Sequence, residues 1–283
     1  AVSRKQDLVV EVSDRIFDFA ETGFHEFETA KLYQQVLEKE GFAVEMGIAG
    51  MPTAFKATYG NGKPVVGFLA EYDALPELSQ VGGCTERKPV CGENPDGHGC
   101  GHNLLGAGTL AAALAVKAYL EENPGKGTVI LFGCPSEEKG NGKTIMARDG
   151  IFEGVDMSLI MHPSDLSMAD DISFAAVNKV YTFKGKPAHT AACPWVGASA
   201  LNGVMQMFHA VDSQRLHFKD YTRVHGIVLE GGTAVNIVPE RAVCKFNIRA
   251  LDSEYLKEVI AVIDRCAQGA AMCAGVEVEI SQD

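Results

Sequence analysis

The chain is organised around one stretch, Asp96-Gly97-His98-Gly99-Cys100-Gly101-His102-Asn103, which stands directly before a long segment of Ala, Leu and Gly. That segment, from Leu104 to Leu120, predicts a buried helix, so the stretch before it is a loop-to-helix junction. Glycines allow a tight turn that would aim Cys100 and His102 at one point, and both side chains bind zinc-like ions. A helix N-terminus here would also lower the pKa of the Cys100 thiol. Taken alone, such a triplet more often marks a structural cysteine beside a helix cap.

The composition is that of a globular protein with one large or two medium domains: 283 residues, 46% hydrophobic and 22% charged. The net charge of -12 argues against a nucleic-acid partner, which would need a basic face. The first turn is polar and no apolar run reaches the roughly 20 residues of a membrane helix. We therefore predict no signal peptide, no membrane partner and a cytoplasmic location. The eight cysteines are expected to be free thiols, with a Cys84–Cys91 disulfide as the less favoured alternative.

Two helices and two short strands are predicted near the start of the chain. Apolar residues recur at helical spacing as far as Ala20, and Gly23 is predicted to end that helix. A second helix is predicted from about Glu28 to Glu40, with Gly41 as its stop. The runs 42–46 and 53–59 are rich in β-forming residues and are bounded by Gly and Pro, which predicts strands.

Three further apolar runs predict strands that end in acidic or metal-binding residues: Val65 to Ala70, Thr128 to Phe132 and Met157 to Met161. The first is apolar throughout, so it is predicted to be a central strand. In open α/β sheets, ligands bind at the carboxyl ends of the strands. The sequence therefore predicts a site formed by the residues that follow these strands, namely Glu71, Asp73, Glu137, Glu138 and His162.

The pattern changes near residues 167–173, where we predict a domain boundary at about residue 171, giving domains 1–170 and 171–283. The second domain has the element order β-α-β-β-α-β, which is typical of the split βαβ, ferredoxin-like fold. Its predicted elements are a strand at 174–184, a helix at 198–211, strands at 223–230 and 241–250, a helix at 254–274 and a strand at 276–281.

A mixed set of sulfur, nitrogen and oxygen donors suits zinc, manganese or cobalt, and the candidate ligands are Cys100, His102, Glu138 and His162. Glu137 and Glu138 are adjacent, so one carboxylate could bind a metal while the other takes a proton from water. Asp73 could orient a ligand histidine. The plainer interpretations are a solvated Glu-Glu turn and an Asp that caps a turn.

Six motifs in this order resemble a family of dinuclear metal amidohydrolases that includes aminoacylase, carboxypeptidase G and the indole-acetyl-amino-acid hydrolases. The resemblance covers nearly the whole chain and is greatest to the aminobenzoyl-glutamate hydrolase and aminoacylase-like dipeptidase branch. Each motif alone is weak, but together they are specific. The motifs are Tyr72-Asp73-Ala74-Leu75-Pro76, Gly97-His98-Gly99-Cys100-Gly101-His102-Asn103, Pro135-Ser136-Glu137-Glu138, Met161-His162-Pro163, Gly185-Lys186-Pro187-Ala188-His189-Thr190 and Gly231-Gly232-Thr233-Ala234-Val235-Asn236-Ile237-Val238-Pro239.

The resemblance implies an α/β fold: a mixed-sheet, phosphorylase/hydrolase-like catalytic domain with an inserted ferredoxin-like α+β lid that also forms a homodimer. It implies two divalent metal ions, zinc or manganese with cobalt as an alternative. Cys100 stands where many relatives have a metal-bridging aspartate, and Glu137 would be the general base. The resemblance makes the other ligands His102, Glu138 and His162.

Three residues of the second domain acquire roles from the same resemblance. His189 resembles a lid histidine that reaches the active site of the partner subunit and stabilises an oxyanion. Asn236 and Arg249 resemble lid residues that hold the substrate and its carboxylate. Their plainer interpretations are a surface histidine, a turn asparagine and an ion pair at a strand end.

The sequence departs from the family pattern at two points. Glu71 occupies a position where many relatives have a metal-binding histidine, and His102 is expected to replace that ligand. The family also returns to the catalytic domain after the lid and supplies one more histidine ligand. This sequence ends at Asp283, on what resembles the last strand of the lid, so that ligand is expected to be missing from it.

The favoured hypothesis is a metallo-amidohydrolase or metallopeptidase that uses metal-activated water. Its substrate would be a small N-acyl amino acid, N-aroyl amino acid or dipeptide, cleaved at the amide bond next to a free carboxylate. One alternative is a non-catalytic metal- or peptide-binding protein, or an inactive fragment without the last ligand. Another is a thiol enzyme in which Cys100 acts with His102, although this leaves Glu137, Glu138 and His162 unexplained. The sequence fixes neither the exact substrate nor the metal.

Overall fold

A computed structural model describes residues 2–90, 92, 94–169 and 172–282. The chain divides into two compact units, Ala1–Ser167 and Met168–Asp283. The division lies close to residue 171, where the sequence predicts the domain boundary. Cys84 is a free thiol, and Cys91, its suggested disulfide partner, lies outside the described residues.

The first unit contains a five-stranded mixed sheet with the strand order β1-β2-β4-β3-β5. Strand β3 runs parallel to β4 and β5, whereas β2 is antiparallel to β1 and β4. The predicted mixed α/β fold class is therefore confirmed. The elements are α1 (Gln6–Phe19), α2 (Phe27–Lys39), β1 (Ala43–Met46), β2 (Phe55–Gly60), β3 (Val65–Ala70), α3 (His102–Glu122), β4 (Thr128–Gly133), α4 (Gly142–Arg148) and β5 (Met157–Leu159), with short 3-10 helices at Val2–Lys5 and Ile48–Gly50.

Strand β4 shows why this sheet is covered on both faces. Successive side chains of a strand point to opposite faces, and nearly all of β4 is buried. Val129 and Leu131 join the apolar cluster formed with α1, α2 and α3. Ile130 and Phe132 join a second cluster with Met146 of α4. The central strands are thus buried on both sides, and their ends remain available for a polar site.

The end of α1 differs from the prediction. Ala20, not Gly23, adopts the left-handed conformation (φ 44°) that ends this helix, and its N–H donates to the Ile16 carbonyl. Gly23 is needed for a different reason. A Cβ atom at this position would lie 2.3 Å from Ser136 Oγ, so only glycine allows the two segments to pack this closely.

Helix α3 has the length and apolar composition of a helix that could cross a membrane, contrary to the prediction that no segment reaches this size. Half of its most apolar window is buried inside the protein. Leu105, Leu110 and Leu114 pack in the apolar cluster that also contains residues of α1, α2 and β4. Because the helix forms part of that core, its composition is explained by packing.

The second unit has the split βαβ order that the sequence predicts, in an antiparallel sheet of order β7-β8-β6-β9. Side chains from one face of the sheet, such as Phe183 and Phe246, form a core with helical residues such as Met207 and Ile263. The elements are β6 (Ala175–Lys184), α5 (Ala200–Gln214), β7 (Arg223–Glu230), β8 (Arg241–Ala250), α6 (Ser253–Ala274) and β9 (Glu277–Gln282), with short 3-10 helices at Pro194–Val196 and Arg215–His217.

Candidate metal centre

The carboxyl ends of β3, β4 and β5 meet at one edge of the first sheet, because the three strands are parallel. Ala70 at the end of β3 pairs with Gly133 at the end of β4, and Phe68 pairs with Leu159 of β5. The polar residues that follow these strands are therefore neighbours. Gly101 precedes α3 in a left-handed conformation (φ 79°), which allows the turn between loop and helix.

Asp73 orients His102 at this edge. The His102 ring is fully buried, and its Nδ1 lies 2.9 Å from Asp73 Oδ1 and 3.1 Å from the Asp73 carbonyl oxygen. Nδ1 therefore carries a proton that it donates, and Nε2 points to the other side of the ring. Burial alone would raise the pKa of Asp73, but hydrogen bonds from His102 and from the Glu138 N–H hold that pKa below its ordinary value. An ionised Asp73 thus fixes the ring as expected of a residue behind a ligand.

The candidate ligand atoms form two overlapping groups that share His102. Within each group the atoms lie within 4.8 Å of one another. Cys100 Sγ is 3.3 Å from His162 Nε2. His102 Nε2 and Glu138 Oε1 are buried and have no hydrogen-bond partner among the described residues. Because buried polar atoms are normally paired, these atoms and their mixed chemistry fit bound cations. The two groups are Cys100, His102 and His162, and His102, Glu137 and Glu138.

Glu71 and Lys143 also contribute charge to this site, although the sequence led us to expect neither of them to act there as a ligand or as its partner. Glu71 is 3% exposed, and its Oε2 lies 3.4 Å from His102 Nε2 without a hydrogen bond in the described chain. Its Oε1 pairs with Lys143 Nζ at the start of α4. The available signal for Glu71 was a charged residue placed directly after an apolar strand. Lys143 gave no comparable signal, because its partner is far away in the sequence.

Glu137 lies at the edge of this cluster, where a substrate or water can reach it. Its side chain is 37% exposed, and its Oε2 is 4.0 Å from His102 Nε2. Burial raises the pKa of Glu137, and the nearby Glu71 carboxylate raises it further, whereas Lys143 opposes the shift. An accessible carboxylate with a raised pKa is suited to accept and return a proton.

The expected effect of the helix N-terminus on Cys100 is wrong. Burial raises the pKa of Cys100 to about 11, and the carboxylates of Glu138, Glu137 and Glu71 contribute to the same shift. The local negative charge therefore outweighs the helix terminus. A cation at this point would reverse the sign of the local field, whereas the site does not favour a free thiolate nucleophile.

In the second unit, the loops that carry His189 and Asn236 lie side by side. His189 forms a β-bridge with Ile237, and the Thr190 N–H donates to the Asn236 carbonyl. The exposed His189 ring accepts hydrogen bonds at Nδ1 from two backbone N–H groups, so Nε2 carries the proton. The structure does not bring Arg249 to these loops. Arg249 pairs with Ala176 near the start of β6, whereas the loop of His189 follows the end of that strand.

Comparison with known proteins agrees with the motif pattern. The family profile described as Peptidase family M20/M25/M40 matches residues 67–280, which include all the candidate ligands. The chain belongs to this peptidase family. The resemblance inferred from the motifs is thereby confirmed.

Two curated relatives cover nearly the whole chain. One is a subunit of the p-aminobenzoyl-glutamate hydrolase of Escherichia coli (strain K12), 40% identical over 286 residues, which are 100% of this chain and 59% of the relative. The Xaa-Arg dipeptidase of Homo sapiens is 30% identical over 285 residues, covering 95% of this chain and 61% of the relative. The chain thus spans less than two thirds of the length of these M20/M25/M40 proteins.

Solved structures support the fold. A crystal structure described as a dinuclear metal binding peptidase from the M20 family, from Bacillus subtilis, aligns with a TM-score of 0.75 at 21% identity, covering 99% of this chain and 74% of that one. The aminobenzoyl-glutamate utilization protein from Klebsiella pneumoniae aligns with a TM-score of 0.68 at 19% identity, with coverage of 99% and 76%. The architecture of both units is therefore that of the M20/M25/M40 family.

Proposed function

We propose that this protein takes part in metal-dependent hydrolysis of an amide bond next to a free carboxylate. The observation that carries the proposal is the convergence of sulfur, nitrogen and oxygen donors around the buried His102, with Glu137 accessible beside them. Membership of a peptidase family supports the same reaction class.

The cations would be held by four residues, with the unpaired Glu71 oxygen as a further donor facing the same space. This donor set suits zinc, manganese or cobalt, and the dinuclear M20 peptidase of Bacillus subtilis supports a pair of ions. Bound divalent ions polarise a carbonyl group and lower the pKa of water. The four residues are Cys100, His102, Glu138 and His162.

The protein groups have separate tasks in this proposal. Asp73 keeps the His102 ring in one tautomer, with Nε2 free to bind a cation. Glu137 accepts the proton of the attacking water and returns it to the leaving amine, which a partly exposed carboxylate with a raised pKa can do. Glu138 cannot share this task, because its carboxylate is committed to the buried ligand cluster.

The substrate class is proposed from the relatives and from the second unit. Two relatives act, by name, on p-aminobenzoyl-glutamate and on Xaa-Arg dipeptides. We therefore propose an N-acyl or N-aroyl amino acid or a dipeptide. His189 would stabilise the oxyanion, and Asn236 and Arg249 would bind the substrate and its carboxylate. The acidic chain needs such an arginine to hold an anionic group.

The second unit is proposed to form a homodimer and to present His189 to the site of the partner subunit. A two-fold interface would make this exchange reciprocal. A cytoplasmic location is proposed because the described cysteines are free thiols, as in reducing compartments.

The test combines metal analysis of the purified protein with hydrolysis of p-aminobenzoyl-glutamate. We expect bound divalent metal and release of aminobenzoate, with both lost in a His102→Ala variant and retained in a control that changes the exposed Glu254 to Gln. Metal binding without hydrolysis of this compound or of dipeptides would favour the alternative of a binding protein. A protein that binds no divalent metal would contradict the proposal.

A further inference from the structure

The turn that presents Glu137 and Glu138 contains a strained residue. Ser136 has φ 54°, a left-handed conformation that a residue with a side chain seldom adopts, and it is fully buried. Such a conformation persists only when surrounding contacts hold it. The contact that holds Ser136 therefore also controls the direction of the two carboxylates that follow.

Glu26 makes that contact from a distant part of the sequence. Its Oε1 accepts a hydrogen bond of 2.8 Å from the Ser136 N–H, and its Oε2 accepts one of 2.9 Å from Thr53 Oγ1. The side chain of Glu26 is fully buried. Thr53 is itself fixed, because its carbonyl accepts a 2.7 Å hydrogen bond from the Tyr72 hydroxyl.

Capping of α2 does not explain the presence of this buried carboxylate. Glu26 stands at the N-cap position, but its side chain makes no capping hydrogen bond. The N–H groups of Glu28 and Thr29 donate instead to the Glu21 carboxylate, each at 2.9 Å. A buried acid is costly unless it is well paired, so its pairing with the turn indicates a specific role.

The turn is held in the same way on its other side. Asp73 Oδ2 accepts a 3.0 Å hydrogen bond from the Glu138 N–H. Two buried carboxylates, Glu26 and Asp73, thus bind the N–H groups on either side of Glu137. Gly23 and Gly140 pack so closely on Ser136 Oγ that added Cβ atoms would lie 2.3 and 3.0 Å from it, which leaves the turn little space to move.

We propose that Glu26 is a positioning residue that fixes the Ser136 turn and thereby the placement of Glu137, an inference that rests on the proposed function. Glu26 itself lies outside both groups of candidate ligands. A displacement of about 1 Å in a reacting group can cost on the order of 100-fold in rate, so a loosened turn should slow the chemical step.

The test compares Glu26→Ala, Glu26→Gln and Glu21→Ala. Glu26→Ala leaves the Ser136 N–H unpaired, and we expect kcat to fall about 10- to 100-fold with little change in KM. Glu26→Gln can accept from Ser136 and donate to Thr53 Oγ1, so we expect kcat within about threefold of the wild-type value. Glu21→Ala removes a carboxylate that binds two N–H groups of the adjacent helix, and it should lower stability without this loss of kcat.

A second readout does not depend on activity. Hydrogen exchange measured by mass spectrometry on peptides spanning residues 134–140 should become faster in Glu26→Ala but not in Glu21→Ala. Ser136→Gly adopts the left-handed conformation without strain, so the double variant Glu26→Ala/Ser136→Gly should recover part of the lost kcat.

The proposal is overturned by unchanged exchange in Glu26→Ala, by faster exchange with an unchanged kcat, or by an equal loss of kcat in Glu21→Ala. Failure of the proposed function has a different signature, namely a wild-type protein that neither binds metal nor hydrolyses the amide. In that case exchange at residues 134–140 still decides the role of Glu26: selective acceleration in Glu26→Ala supports it, and its absence rejects it.

Discussion

At the scale of single residues, Glu137 and Glu138 are neighbours with different environments. Glu138 is part of the buried donor cluster, whereas Glu137 is 37% exposed beside it. Changing Glu137 to Gln preserves shape but removes the base. We expect metal content to be retained while kcat falls about 10²- to 10⁴-fold. Metal analysis and kinetics on the same preparation provide the measurement.

The matched control for this prediction is Glu138→Gln, which should lose metal together with activity. If Glu137→Gln lost metal and activity to the same extent, Glu137 would be a ligand and the proposed division of roles would be wrong.

Glu26 also leads to a prediction about pH. Burial raises the pKa of this carboxyl above its usual value, and hydrogen bonds from Ser136 and Thr53 only partly oppose that shift. The folded state therefore binds more protons than the unfolded state between the ordinary pKa and the raised one. Over that window the contribution of Glu26 to the free energy of unfolding falls as pH rises.

Glu26→Gln removes this titration, so its free energy of unfolding should increase relative to wild type as pH rises from about 4 to about 7. Urea unfolding of both proteins at several pH values measures the difference. A constant difference across this range would show that Glu26 does not carry a raised pKa.

At the scale of elements, α3 contains two glycines with different surroundings. A Cβ atom at Gly106 would lie 2.3 Å from Tyr33 Oη and 2.8 Å from the backbone carbonyl of Glu71. A Cβ atom at Gly108 would lie 2.5 Å from the terminal methyl group of Met161, which can move. The first contact involves backbone next to the candidate metal site, and the second involves only the end of a flexible side chain.

We therefore expect Gly106→Ala to lower the melting temperature and to weaken metal binding. Gly108→Ala should be neutral or stabilising, because alanine is favoured over glycine in a helix by roughly 1 kcal/mol. Thermal unfolding of the two variants gives the comparison. Equal behaviour of both variants would mean that helix propensity, and not the close approach to the backbone of Glu71, decides the outcome.

At the scale of the whole molecule, the proposed exchange of His189 between subunits can be tested by mixing variants. His189→Ala and Glu137→Gln should each be nearly inactive as homodimers. A mixed dimer contains one site with both intact residues if His189 acts across the interface. An equimolar mixture should then reach about a quarter of wild-type activity, because half of the dimers are mixed and each has one complete site.

A matched control mixes Glu137→Gln with Glu138→Gln. The two carboxylates of a site come from the same protomer, so every site in the mixed dimer lacks one of them, and no activity should return. If the first mixture also fails to recover although mixed dimers are shown to form, His189 does not act in trans.

Much of this protein is determined by local sequence. Apolar runs such as Val65–Ala70 and the change in pattern near residue 171 predict the strands and the order of elements, because side-chain periodicity is a short-range property. The acidic and metal-binding residues at the strand ends could be predicted for the same reason. Parallel strands bring their carboxyl ends to one edge, so Glu138 and His162 were expected near a common site before any distance was known.

Other features depend on segments that are far apart in the chain. Glu26 reaches Ser136 across 110 residues, and Lys143 reaches Glu71 across 72. The pKa of Cys100 rises because burial and distant carboxylates outweigh the adjacent helix terminus, which the sequence alone indicated as dominant. Burial and charge at a point sum over everything that the fold brings near it. The identities of the site residues could therefore be predicted from the sequence, whereas only the tertiary structure decided how they are held and charged.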